Sequence, residues 1–241
     1  MDNMIMRRVI LPLLAALLLA SCDDGSVTDP VYVDSSSRYE AILTANLSGL
    51  DKWDGTGYSI ALAAFKDGSR YSVIQKSVIS DTVVMTSIPV TVNTVELAVV
   101  DALRQRVATI AKYRVEEGHD EADTIRLDLG DISVSPYGAV DEAVFNNTSL
   151  NCVRCHTGES AAGGLVLSGG DAYANLVGVA SAKEPGQMRV KPGDADDSFL
   201  YKVITDGDPN VHYSHPQLFT EDGVAPLVEL VRTWIDAGAE K

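Results

Sequence analysis

Cys152-Val153-Arg154-Cys155-His156 is the stretch on which the reading of this chain turns. Two thiols separated by two residues, with an imidazole directly after the second, have the spacing of a covalent haem attachment site. The chemistry explains the spacing. Each thiol can add across one vinyl group of a porphyrin, and the residue after the second cysteine then lies under the iron, where a His nitrogen serves as axial ligand. A dithiol redox pair would sit in a βαβ pattern, which is absent here. A structural zinc site needs four ligands, and no second Cys/His cluster supplies the rest. The reading is therefore one haem c, held by Cys152 and Cys155, with His156 as the proximal ligand.

The remaining cysteine lies far upstream, at the end of a leader. Arg7 and Arg8 form a basic start, and Val9 to Ala20 is an apolar run interrupted by Pro12. Residues 1–21 thus read as a targeting segment, too short to span a membrane comfortably as a mature helix. Leu19-Ala20-Ser21-Cys22 resembles the lipobox of bacterial lipoproteins. That resemblance implies cleavage before Cys22 and lipid on its sulfur and new amino group; the alternative is an ordinary secretory signal with a chance cysteine. Several acyl chains on one residue anchor stably, since about two lipid signals suffice. The chain has 3 cysteines. Lipid takes one and haem two, which leaves no odd thiol and no disulfide framework. The two assignments also agree on compartment, because haem is attached to such cysteines outside the cytoplasm. The expected location is a bacterial membrane, on its periplasmic or cell-surface side.

Residues 22–37 follow as a tether rich in Asp, Ser, Gly and Thr. From 38 to about 131 the hydrophobic period is two. Tyr39, Ala41, Leu43, Ala45 and Leu47 alternate with Glu40, Thr44 and Asn46; Tyr58, Ile60, Leu62 and Ala64 make a second run of period two, Val95, Leu97 and Val99 another, and Ile125, Leu127 and Leu129 alternate with Arg126 and Asp128, while Val107 to Val115 alternates less cleanly. Val73-Ile74 and Val83 to Ile88 add further strands, and Asp54-Gly55-Thr56-Gly57, Lys66-Asp67-Gly68-Ser69 and Glu117-Gly118 supply turns. About seven short strands punctuated in this way predict an antiparallel β-sandwich, immunoglobulin-like in a loose sense. Trp53 reads as a local packing residue and His119, between acidic neighbours, as a solvated one. No catalytic constellation stands out in this region.

Beyond a linker at 131–137 the pattern turns helical and glycine-punctuated. Ala139 to Phe145 predicts a short helix. Val224 to Ala237 predicts a longer one, with Leu227, Leu230, Val231 and Trp234 on one face, Pro226 in the first turn and Gly238 at the end. Between them come Ala162-Gly163-Gly164-Leu165-Val166-Leu167, Gly169-Gly170, Val190-Lys191-Pro192-Gly193-Asp194 and Ser198-Phe199-Leu200-Tyr201. In that order, behind the Cys-x-x-Cys-His stretch, residues 138–241 resemble the planctomycete-type cytochrome c domain, a compact relative of class I cytochromes c. The resemblance implies a mainly α domain in which Phe145 and Trp234 meet where the first and last helices cross. It also implies a sixth iron ligand, in the family usually a Met in a Met-Pro context. Here the corresponding place reads His212-Tyr213-Ser214-His215-Pro216. His215 is the first candidate, His212 the second and Met188 the third; an open or water-bound position is the remaining alternative. A second imidazole in place of Met would lack the raised potential that a Met partner gives. Asp206 to Asn210 starts like a calcium loop, but its sixth and twelfth positions are Val211 and Gln217, so it reads as a polar turn.

Charge narrows the partners. The chain carries a formal −15 at pH 7, and removal of residues 1–21 makes it one unit more acidic. Such a surface disfavours nucleic acid and anionic lipid and suits a protein with a basic docking face. The expected function is single-electron transfer by a lipid-anchored monohaem cytochrome c. Two other classes stand beside it. One is a binding or assembly lipoprotein in which the sandwich does the work and the haem module is accessory. The other is a peroxidase-like enzyme, disfavoured by the single haem motif.

Overall fold

A computed structural model describes residues 38–120, 124–170, 172–208 and 210–241. The leader, Cys22 and the tether lie outside the described residues. No helix among the described residues is long and apolar enough to cross a membrane.

Seven strands form two sheets, as the count of alternating runs anticipates. β1 (Arg38–Ser48), β4 (Thr82–Pro89) and β7 (Ile125–Ser133) make one sheet in the order β4-β1-β7. β2 (Tyr58–Phe65), β3 (Ile74–Ser77), β5 (Thr94–Asp101) and β6 (Arg106–Arg114) make the other in the order β3-β2-β5-β6. The inner faces share one buried cluster. Ala41, Leu43, Met85, Ile88 and Ile125 of the first sheet belong to it with Leu62, Val95, Leu97 and Val99 of the second.

The expectation of an all-antiparallel sandwich needs correction. β1 and β7 run parallel, in register from Ala41↔Ile125 to Ser48↔Ser133, so the first sheet is mixed. Alternation in the sequence reports which face of a strand is buried and carries no information on the direction of its neighbour. The register slips between Thr44 and Ala45, where Ala45 comes to face Gly130. Gly130 is left-handed at φ 65, a conformation that suits a bulge. His119 also departs from expectation. It is half-buried, with its ring 5.2 Å from Tyr39 and 6.1 Å from Tyr113, because the loop after β6 folds back onto aromatic side chains rather than into solvent.

The second face of the four-stranded sheet is buried too. Ala61, Ala63, Phe65, Ala98 and Val100 form a separate apolar cluster there. Among them Glu96, 1 % exposed, accepts hydrogen bonds from Thr94 and Thr109 and an ion pair from Arg106 at 2.7 Å. A buried carboxylate needs that full set of donors to offset its lost hydration.

The chain leaves β7 through a tight junction. Trp53, 5 % exposed, donates its indole N–H to Val134 O at 2.6 Å, as a packing residue with one polar tip does when buried. Ser135 caps α1 (Pro136–Val140) by accepting from Gly138 N at 3.1 Å, with Pro136 in the first turn. A Cβ on Gly138 would lie 2.5 Å from Ser133 O, and one on Gly49 2.5 Å from Ser135 Cβ, so both positions admit only glycine. α1 continues into a π-helical turn, Asp141–Phe145. Three further helices follow: α2 (Ala172–Leu176), α3 (Phe199–Thr205) and α4 (Pro226–Asp236).

α4 matches the predicted last helix. It begins with Pro226, buries Leu227, Leu230, Val231, Trp234 and Ile235, and stops where Gly238 turns left-handed at φ 102. α1 packs against α4, with the rings of Tyr137 and Trp234 5.3 Å apart. Phe145 and Trp234 are both 1 % exposed in the same buried cluster, and the ring that contacts Trp234 is that of Tyr137. That cluster runs unbroken from the sheets into the helices. The described residues accordingly belong to one compact unit.

A candidate covalent haem site

The site begins at the end of the π turn. Asn147 organises the approach: its amide donates to Ala143 O, and its side-chain oxygen accepts from Ser149 N and Leu150 N. Asn151 then turns left-handed at φ 51, and Cys152–Arg154 forms a short 3-10 turn. The turn brings Cys152 back against the π-helical turn, where its thiol meets Val144 O at 3.4 Å. Burial pushes the Cys152 thiol up to about 11, so it stays protonated at neutral pH. Cys155 is exposed. Neither cysteine is paired in a disulfide.

His156 follows directly, its amide bonded to Cys152 O at 3.1 Å. The segment Ala162–Leu167 runs beside it, with Ala162 N on Cys155 O at 2.9 Å and Leu167 N on His156 O at 2.9 Å. Leu165 O sits 3.2 Å from His156 Nδ1. A carbonyl can only accept, so Nδ1 carries the proton and Nε2 is left with its lone pair. Burial is the main cause holding the His156 pKa below the ordinary imidazole range; the Leu165 and Ala162 backbone contacts oppose it, and the Arg189 charge adds to it. The ring is therefore neutral at neutral pH, as a metal-binding imidazole must be.

His215 comes from a segment much later in the chain. It opens the 3-10 turn His215–Phe219, in which Pro216 occupies the first turn and Phe219 is buried. Its Nδ1 lies 3.0 Å from Tyr213 O, so by the same reasoning its Nε2 is free. Burial lowers its pKa as well, with the neighbouring His156 contributing in the same direction and the Tyr213 carbonyl opposing. The Tyr213 ring stands edge-on to it at 5.2 Å and is itself 59 % exposed.

The two imidazoles lie close together. Their centroids are 6.2 Å apart and their planes make an angle of 38°. An iron held by one imidazole nitrogen on each side at about 2 Å would separate the ring centres by about 6 Å. The residues present therefore fit a haem iron between them. Among the described residues no group of three or more His, Cys, Asp or Glu could hold a metal ion. Of the other sixth-ligand candidates, His212 is exposed, and Met188 is 44 % exposed on a segment bridged to Ala180 and Ser198. Sequence reasoning did not single out Arg189, whose guanidinium reaches the carbonyls of Asn175, Gly163 and Gly164. Nothing in the local sequence marks an arginine that binds only backbone oxygens.

No curated protein and no solved structure matches the chain. Residues 152–212 match the sequence model of a family described as planctomycete cytochrome C. That stretch begins at Cys152 and stops short of His215 and of α4. Such a family implies haem c and an extracytoplasmic location, and suggests haem-based electron transfer. Behind a β region of two sheets, this chain thus carries a planctomycete cytochrome c domain at residues 152–212.

Proposed function

We propose that the protein is a membrane-anchored, extracytoplasmic monohaem cytochrome that passes single electrons between partner proteins. Cys152 and Cys155 would hold the haem covalently, His156 and His215 would ligate its iron, and Cys22 would bear the lipid. Supporting this is one observation above all: two neutral, half-buried imidazoles at 6.2 Å, each with Nδ1 tied to a backbone carbonyl and Nε2 free.

When bound, haem supplies a one-electron couple at its iron. The chain's own residues then do three things. Leu165 O and Tyr213 O fix the tautomer and orientation of the two rings, so neither ligand reorganises much between oxidation states. The buried cluster behind Cys152 and Phe219 lowers the local dielectric and keeps bulk water from that side. With both His156 and His215 as ligands, the iron would have no place left for peroxide, which would favour electron transfer over peroxidase chemistry. Two nitrogen donors in place of nitrogen and thioether would set a low potential for a cytochrome c.

The partner in this reading has a basic docking face. Residues 131–241 hold sixteen Asp or Glu against seven Lys or Arg. Electron exchange with it should slow steeply as salt rises.

The test is optical and magnetic. A pyridine haemochrome on the mature protein should report one covalent haem. The oxidised protein should show a low-spin ferric EPR signal and lack the near-infrared band of Met ligation. A colourless mature protein, or pigment that extracts into acidified acetone, would end the proposal.

A further inference from the structure

From the geometry behind the first histidine we infer that Arg189 is the positioning residue for His156. It acts by clamping the turn whose carbonyl receives the imidazole proton. The inference rests on the haem c reading of the same site.

Arg189 is held by its own backbone on both sides: its N–H bonds Val179 O at 2.7 Å, and its carbonyl accepts from Leu200 N at 2.9 Å. From that fixed base the guanidinium spans three backbone oxygens, Nη1 to Asn175 O at 2.8 Å and Nη2 to Gly163 O at 3.2 Å and Gly164 O at 3.1 Å. Gly163 and Gly164 are both left-handed, at φ 62 and 63. Consecutive carbonyls thereby turn toward one guanidinium, an arrangement that side-chain-bearing residues rarely adopt. The next residue is Leu165, whose carbonyl takes the His156 Nδ1 proton. The other side of the turn is pinned by Ala162 N on Cys155 O. The Ala162–Leu165 turn is therefore stapled at one end to the attachment motif and at the other to Arg189.

No carboxylate pairs with Arg189 among the described ion pairs, and burial lowers its pKa. A planar fork of donors, not a point charge, is what three carbonyls in one neighbourhood require. Losing it frees the turn to relax and weakens the Nδ1–H···O bond. A histidine that loses this bond is a poorer electron donor to the metal, so it stabilises the oxidised state less.

Arg189→Lys separates the two roles, because it keeps the charge and removes the fork. We expect its midpoint potential to move positive of wild type, with altered hyperfine-shifted resonances of the His156 ring. Gly163→Ala strains the same turn at its left-handed position, with only Lys183 within 4 Å of the added methyl, and should move the potential in the same direction; it serves also if the lysine variant folds poorly. Wild-type potential and wild-type ring resonances in both variants would overturn the inference, whatever happens to their melting temperatures, and would leave the haem reading intact. Wild-type protein without covalent haem would overturn both.

Discussion

The ring of His156 lies 6.2 Å from the ring of His215, although α2 and α3 intervene between them along the chain. One imidazole belongs to the attachment motif and the other to a short turn after it, and the gap between them suits a single metal atom. Replacing His215 by Ala should open that position. The ferrous variant should then bind carbon monoxide at once, and its oxidised form should gain high-spin character. His215→Met should raise the potential and bring in the near-infrared band of thioether ligation. His212→Ala and Met188→Ala should leave the spectrum alone. A shifted spectrum in either of those, with an unchanged His215→Ala, would reassign the ligand.

The two cysteines should contribute separately. Cys152→Ser and Cys155→Ser should each retain haem through one thioether, with the pyridine haemochrome maximum moved to longer wavelength. The double variant should lose covalent attachment entirely, so that acidified acetone extracts its haem. Because Cys152 is packed against the π-helical turn and Cys155 is exposed, only the loss of Cys152 should also lower the melting temperature. Equal melting temperatures for the two single variants would contradict this.

The sheets and helices share a core, so they should unfold together. Trp234→Ala removes a side chain 1 % exposed and should cost about 3–5 kcal/mol. Gly138→Ala pushes a methyl into Ser133 O and should cost at least about 1–3 kcal/mol. By contrast, Glu240→Gln, which breaks a surface ion pair with Lys52, should change little. Far-ultraviolet circular dichroism and visible haem absorbance should follow one transition in every variant. Two separated transitions would show the β region and the haem region to be independent.

Asp141 sets a pH dependence. Burial raises its pKa, with Tyr137, Lys241 and Asn146 acting to lower it. Between the unfolded and the raised folded pKa, the folded protein holds a proton there that the unfolded chain has released. Ionising the group costs stability as pH rises past the ordinary carboxylate range, and the cost is absent below it. Asp141→Asn keeps the acceptor for the Tyr137 hydroxyl and should be more stable than wild type at neutral pH. The gap should close as pH falls below about 4. Denaturant titrations at several pH values measure it; a gap that widens toward acid would reverse the sign.

Much of the site could be read directly. The Cys152–His156 spacing carries its chemistry within five residues, because two thioether bonds and one axial bond to a single porphyrin demand that spacing. Seven strands and the last helix also follow from periodicity, which records the buried face of each element. Less was legible where faces are covered on both sides, as in β2 and β5. Burial there depends on what folds over them.

Tertiary structure decided the remainder. That β7 runs parallel to β1, that the Tyr137 ring meets the Trp234 ring, that Arg189 grips the turn behind His156, and that His215 comes within 6.2 Å of His156 are relations between distant residues. A linear pattern limits what each segment can bury or donate. It does not say which other segment will lie against it, because that choice is made by the packing of the whole core.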